Sequence, residues 1–158
     1  SIKNPKSEYG RQKQEAEEVC SMLHPNLKIV RLTKILGPSN EFFRTAVEKL
    51  KSRENVAAYA DYFFSGVDLE SCVSTLAELV SEEGFGVHHI SGLADISYLQ
   101  ACNYLQNKMY AGTEDLVRAE LAPPDIYNAK KDFISLGDNL IAESFSPFQP
   151  LNQYLRYG

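Results

Sequence analysis

The chain has 158 residues, with 16 basic against 21 acidic side chains and a net charge of −5 with histidines neutral. Hydrophobic residues make up 44% and charged residues 23%, which suits a folded domain and excludes a disordered or collagen-like chain. The acidic balance argues against a protein that coats nucleic acid, and no apolar run approaches the roughly 18 residues of a membrane span.

The opening Ser1-Ile2-Lys3-Asn4-Pro5 has no apolar stretch of the kind a secretory signal carries. The three cysteines, Cys20, Cys72 and Cys102, are widely spaced and form no Cys-x-x-Cys pair. Neither a disulfide framework nor a zinc site is indicated. They read as small buried residues of a reducing compartment, the cytoplasm.

From Ser7 to about His24 the pattern is helical. Tyr9, Lys13, Ala16, Cys20 and Leu23 fall on one narrow stripe, with Arg11, Gln14, Glu15, Glu17 and Glu18 on other faces. Pro25 ends this helix, and Leu27 to Leu32 reads as a central strand. Gly37-Pro38-Ser39-Asn40 is a loop whose Ser39 or Asn40 caps a helix with Phe43, Ala46, Val47 and Leu50 on its apolar face. Val56–Tyr59 and Tyr62–Ser65 read as short strands. Asp68 caps a third helix, which Gly84-Phe85-Gly86 stops, and Val87–Ile90 is a strand. A fourth helix begins at Asp95 and carries Leu99, Cys102, Leu105 and Met109. Irregular structure is expected from Gly112 to about Pro147, then a short helix with Leu151, Tyr154 and Leu155 on one side. The alternation predicts an α/β fold that opens on a helix.

Lys13 is the most informative position, because lysine is rarely buried and here it interrupts an apolar stripe four residues after Tyr9. A phenol of ordinary acidity costs about 4 kcal/mol to ionise at neutral pH. A cation about 4 Å away, at an effective dielectric near 20, returns about the same. Such a pair can therefore serve as an acid/base near neutrality. The plainer reading is that Lys13 snorkels from the stripe's edge while Tyr9 packs. His88 and His89 are adjacent in a strand and point to opposite faces, so a shared metal is not expected. Arg44, Lys49, Lys51 and Arg53 form a modest basic run, suited to solubility or to drawing in substrate phosphates.

Four segments resemble one family in order and spacing. Pro5 to Glu17, with Tyr9-Gly10-Arg11-Gln12-Lys13 at its centre, resembles the catalytic helix of extended short-chain dehydrogenase/reductases. Ile29 to Pro38 resembles the family's next strand and loop, Phe64 to Val73 its Val-Asp segment, and Gly86 to Gly92 its last core strand. The resemblance covers about Ser1 to Met109. It is nearest the branch of NAD-dependent epimerase/dehydratases that includes dTDP-4-dehydrorhamnose reductases.

The resemblance implies the C-terminal part of a Rossmann-like parallel sheet with a smaller α/β substrate lobe. Residues 1–37 would end the core and carry the catalytic helix; residues 38–158 would form the lobe, interleaved with the last core strand and helices. Tyr9 would be the general acid/base. Lys13 would favour its phenolate and bond the nicotinamide ribose of NAD or NADP. Leu32, Thr33, Lys34 and Ile35 would approach the nicotinamide, and Lys34 would meet a phosphate of the substrate; Arg44, as part of the basic run, is the other expected substrate contact. In many family members an Asn stands where this chain has Lys34.

The implied activity is NAD(P)-dependent reduction or epimerisation of a nucleotide-linked sugar, with no nucleic-acid or membrane partner and pairing of two copies through the Tyr9 helix. The alternative is a non-catalytic regulatory or binding homologue. The sequence holds no Gly-x-x-Gly-x-x-Gly dinucleotide cradle. The expectation is thus the C-terminal half of such an enzyme, without turnover by these 158 residues alone.

Overall fold

The computed structural model describes residues 8–124 and 146–156. The chain runs α1 (Glu8–Leu23), β1 (Lys28–Leu32), β2 (Lys34–Leu36), α2 (Glu41–Lys51), β3 (Val56–Tyr59), β4 (Phe63–Phe64) and β5 (Gly66–Asp68). It continues through α3 (Leu69–Ser81), β6 (Gly86–Ile90), β7 (Ile96–Ser97), α4 (Tyr98–Tyr110) and β8 (Val117–Glu120). A 3-10 turn, Gln149–Leu151, leads into α5 (Asn152–Arg156). The expected α/β class is observed. Among the described residues, three of the four strand pairs, β1–β6, β2–β5 and β3–β8, are parallel, and β4–β7 is antiparallel.

Helix starts follow their caps. The Asn40 side chain accepts the Phe43 amide at 3.4 Å, and Phe43, Ala46, Val47 and Leu50 are buried as their spacing predicts. The Asp68 carboxylate accepts the Ser71 amide at 2.8 Å at the start of α3. The fourth helix starts at Tyr98 rather than at Asp95. Ser97 and Gln100 form a reciprocal capping box there, which fixes the start. The residues before it are held extended, because Phe64 pairs with Ile96 and Phe63 with Ser97.

Four further differences are observed. The segment after Gly112 is not irregular throughout. Gln106 Oε1 accepts the amides of Leu116 (2.6 Å) and Val117 (3.1 Å) and so launches β8 beside β3. Only Val117 of β8 is buried, so hydropathy gave no signal there. Most of the rest of that region, residues 125–145, lies outside the described residues. β1 pairs with β6 alone among the described strands, and its residues are half-buried or exposed rather than central. The strand expected over Tyr62–Ser65 is shortened to Phe63–Phe64, and Gly66–Asp68 starts a separate strand against β2. Cys72 and Cys102 are buried as expected, but Cys20 is exposed.

Two apolar clusters result among the described residues. The larger joins Leu36, Phe43, Leu50, Phe64, Leu105, Leu151 and Tyr154 across α2, α4, α5 and the strands between them. The smaller packs Cys72 and Leu79 of α3, with Val67, against Val30 and Ile90 of the β1–β6 pair. At their boundary Gly92 lies against Gly66. An added Cβ would overlap the Gly66 carbonyl oxygen and stand 2.9 Å from both its amide nitrogen and the Ser65 hydroxyl. Gly92→Ala should therefore lower unfolding free energy by about 3 kcal/mol, and the matched exposed change Gly84→Ala, which meets no neighbour, by less. Urea denaturation of the two variants measures the difference.

Candidate active site at the carboxyl ends of the parallel strands

α1 buries no residue. The side turned toward the sheet is Gly10, Gln14 and Glu17, all partly buried. The stripe of Tyr9, Lys13, Ala16, Cys20 and Leu23 is exposed, offset by about 100° around the helix. What fixes α1 is a two-pronged ion pair. Arg31 of β1 donates from Nε at 2.9 Å and from Nη2 at 2.7 Å to the two carboxylate oxygens of Glu17. The hydrogen bond to Glu17 raises the Arg31 pKa above its ordinary value, against partial desolvation.

Alternation along β1 puts Arg31 on the α1 face, while Val30 faces α3. On that second face the Lys28 ammonium donates to the carbonyls of Leu79 and Glu82 and closes the carboxyl end of α3.

The ion pair also sets the height of α1. From Glu17, Lys13 is about 6 Å and Tyr9 about 12 Å farther toward the helix N-terminus. Both therefore project past the carboxyl end of β1. The Lys13 ammonium lies 5.4 Å from the centre of the Tyr9 ring, over its face. Tyr9 is 69% exposed.

At the same end of the sheet the chain passes from β1 to β2. The Thr33 amide donates to the Ile90 carbonyl (3.1 Å) and the Lys34 amide to the Ser65 carbonyl (3.2 Å). The Thr33 hydroxyl is buried with no hydrogen-bond partner. Leu32 and Ile35 are exposed beside it. Lys34 turns the other way, onto the larger cluster. Its ammonium meets the Tyr98 hydroxyl at 2.8 Å and lies 5.4 Å from the Tyr98 ring centre and 6.0 Å from that of Phe64. Desolvation lowers the Lys34 pKa, and the neighbouring Tyr62 raises it in part.

The structure thus brings Tyr9 to Lys13, and Thr33 and Lys34 to one strand junction. Arg44 is exposed on α2. Phe42, edge-on to Tyr98 at 4.8 Å, and Arg44 flank opposite sides of the buried face of α2. Sequence reasoning missed Tyr98 as a site residue. Its only signal was position, directly after a helix cap, and the contact with Lys34 spans 64 residues. His88 and His89 lie in β6 with Val30 and Arg31 as register partners, and no metal-ligating cluster exists among the described residues.

Two measurements check this geometry. Glu17→Ala leaves a partly buried guanidinium unpaired and should raise local opening of α1 at least about tenfold, read by hydrogen exchange of its amides against those of α4. Lys34→Met removes an ammonium whose folded-state pKa lies below its ordinary value. The charged form is therefore penalised at pH below that lowered pKa, and the penalty fades as pH rises through it toward the ordinary value. The stability of Lys34→Met relative to the parent should be highest near neutral pH and decline in alkaline buffer, measured by denaturation midpoints.

The RmlD substrate binding domain family model matches residues 1–125. No curated protein matches the sequence. Among solved structures, the dTDP-4-dehydrorhamnose reductase of Bacillus anthracis, in complex with NADP, aligns at TM-score 0.72 and 20% identity. That alignment covers 95% of this chain and 54% of that one. The L-threonine 3-dehydrogenase of Trypanosoma brucei aligns at TM-score 0.75 and 14% identity, over 99% and 55%. The UDP-glucose 4-epimerase of Thermotoga maritima, with UDP-glucose, aligns at 0.67 and 14%, over 98% and 55%. The chain spans about half the length of these structures, and at such identities they show the shared Rossmann-like fold. With a family model covering most of its length, and with that fold, the chain belongs to the RmlD substrate binding domain family.

Proposed function

We propose that this chain provides the proton-transfer and substrate-holding part of an NAD(P)-dependent oxidoreductase or epimerase that acts on a nucleotide-linked sugar. The observation that carries this reading is the Tyr9–Lys13 pair, one helical turn apart, with the ammonium over the ring beyond the carboxyl end of a parallel strand. Ligands of open α/β sheets bind at that end. Residues 1–37 act in this reading as the end of the core, and residues 38–158 as the substrate lobe.

The residues present suit a nicotinamide. The Thr33 hydroxyl is buried and unsatisfied, a costly state that a ligand amide relieves. Leu32 and Ile35 offer exposed apolar surface beside it, and Lys13 on α1 would hold a ribose hydroxyl. When bound, the nicotinamide supplies or takes the hydride. Tyr9 then donates a proton to the carbonyl oxygen as the hydride reaches its carbon, or removes it in the reverse direction. Lys13 stabilises the phenolate that forms. The sequence contains no Gly-rich pyrophosphate cradle, so turnover in this reading needs a polypeptide or complex that supplies one.

The test uses these residues joined to such a dinucleotide-binding unit, with a panel of nucleotide-linked keto sugars and nicotinamide absorbance as readout. Tyr9→Phe should lower kcat by about a hundredfold or more while NADP(H) binding, read by fluorescence, persists. Undiminished turnover in Tyr9→Phe would sink the acid/base role. Full binding with no turnover in the parent would favour the regulatory homologue.

A further inference from the structure

β2 is short and thinly supported. It runs only from Lys34 to Leu36, and β5 is its one strand partner among the described residues. A two-stranded ladder of this length is marginal by itself. The strand junction holds its first residue, where the Lys34 amide bonds the Ser65 carbonyl. Its far end stands opposite Asp68, where β5 gives way to α3. The carbonyls at that end need partners from elsewhere.

They find them in α5, 117 residues along the chain. The Gln153 side-chain nitrogen donates to the Leu36 carbonyl at 3.0 Å and to the Pro150 carbonyl at 2.7 Å. The Tyr154 hydroxyl donates to the Gly37 carbonyl at 2.9 Å. The Gly37 carbonyl also accepts the Asn40 amide at 3.0 Å, so both of its lone pairs are used and the turn into α2 is tied to the same point. The helix that supplies these donors is itself anchored. Leu151 and Tyr154 are buried in the larger cluster, and the Tyr154 ring centre lies 5.4 Å from that of Phe43. Asn152 accepts the Tyr104 hydroxyl at 2.7 Å, which links α5 to α4. Packing accounts for Leu151 and for the Tyr154 ring. It does not account for the amide and the hydroxyl, which are both directed at the end of β2. Burial pushes the Tyr154 phenol up to about 12, so it remains a donor through neutral and mildly alkaline pH.

We infer that α5 is a strap that fixes the carboxyl end of β2, with Gln153 and Tyr154 as positioning residues for the ligand-facing segment Leu32–Ile35. The inference rests on the proposed function in taking that segment to face the nicotinamide and substrate; the strap itself needs no ligand. With the junction at one end and the strap at the other, the exposed Ile35 is held between two fixed points. A ring that packs on Leu32 and Ile35 while bonding the Thr33 hydroxyl needs those three groups at constant spacing, and a displacement of about 1 Å is costly in such a site. Tyr9 is placed separately, through Glu17 and Arg31. The strap therefore bears on how tightly ligands are held and not on proton transfer.

Hydrogen exchange on the chain as it stands gives the first test. Tyr154→Phe keeps the ring, Gln153→Met keeps the length, and each removes one donor to β2. In either variant the amides of residues 34–37 should exchange about tenfold faster, and faster still in the double variant, while those of α1 and of the β1–β6 pair are unchanged. Unaltered exchange at residues 34–37, or an equal rise throughout the chain, would overturn the strap.

The second test joins the chain to a dinucleotide-binding unit, as in the Tyr9→Phe assay. Tyr154→Phe should raise the NADPH dissociation constant, read by fluorescence, and the KM for the keto sugar about fivefold, with kcat within about twofold of the parent and the pH profile unmoved. Tyr9→Phe gives the opposite split. Faster exchange in β2 with both binding constants unchanged would confine α5 to holding the fold and overturn the positioning role. A parent that binds no NADPH overturns the positioning role along with the proposed function, and the exchange result, read without ligand, still decides the strap.

Discussion

The fold depends on one strand exchange. At Thr33 the chain leaves β6 and takes a new neighbour, as the amide of Thr33 still bonds Ile90 and the next amide, that of Lys34, bonds Ser65. Consecutive donors thus tie β1 to one parallel pair and β2 to another. The side chains divide at the same point. Val30 belongs to the smaller apolar cluster with α3, while Leu36, six residues on, is wholly buried in the larger one. Such an exchange needs two backbones to approach closely, and Gly92 against Gly66 provides it, with the Ser65 hydroxyl donating to the Gly92 carbonyl at 3.1 Å. A side chain at residue 92 would push the two clusters apart and open the junction where Thr33 and Lys34 are displayed.

The sequence showed the parts whose signal is local. Apolar spacing and a cap placed α2 and α3, and the Tyr9–Lys13 spacing alone put the two groups on one helical face. The resemblance to reductases extended that to a family, which the match over residues 1–125 bears out. What escaped was set by distant partners. β8 is mostly exposed and exists because Gln106 and β3 hold it. The fourth helix starts at a capping box whose serine also pairs with Phe63. Tyr98 as the partner of Lys34 could not be read from either local segment, since only tertiary packing brings them to 2.8 Å. The apolar stripe of α1 misled for a related reason. Periodicity reports that a stripe exists, but the residue that docks the helix is Glu17, outside it.

That last point bears on how an acid/base group is positioned. α2 is held by four buried side chains, so its place is set by the packing of a core. α1 buries none, and its place is set by a bidentate ion pair with modest solvent exposure. Dispersion and apolar burial act over a broad face and tolerate a small slide. A guanidinium–carboxylate fork has a fixed geometry and does not. Arg31 is itself rigidly placed in β1, whose register with β6 runs without a break from Lys28 to Leu32. The chain of constraint therefore passes from strand register to Arg31, from Arg31 to Glu17, and along less than three turns of helix to Tyr9. A proton donor placed in this way keeps its height above the strand ends, although its own side chain lies almost free of the protein. Lys34, which opens β2 two residues after β1 ends, is referred to the same frame through Thr33. Two cations and a phenol from two elements, α1 and β2, are thus referred to the register of β1, on which any chemistry at this edge must rest.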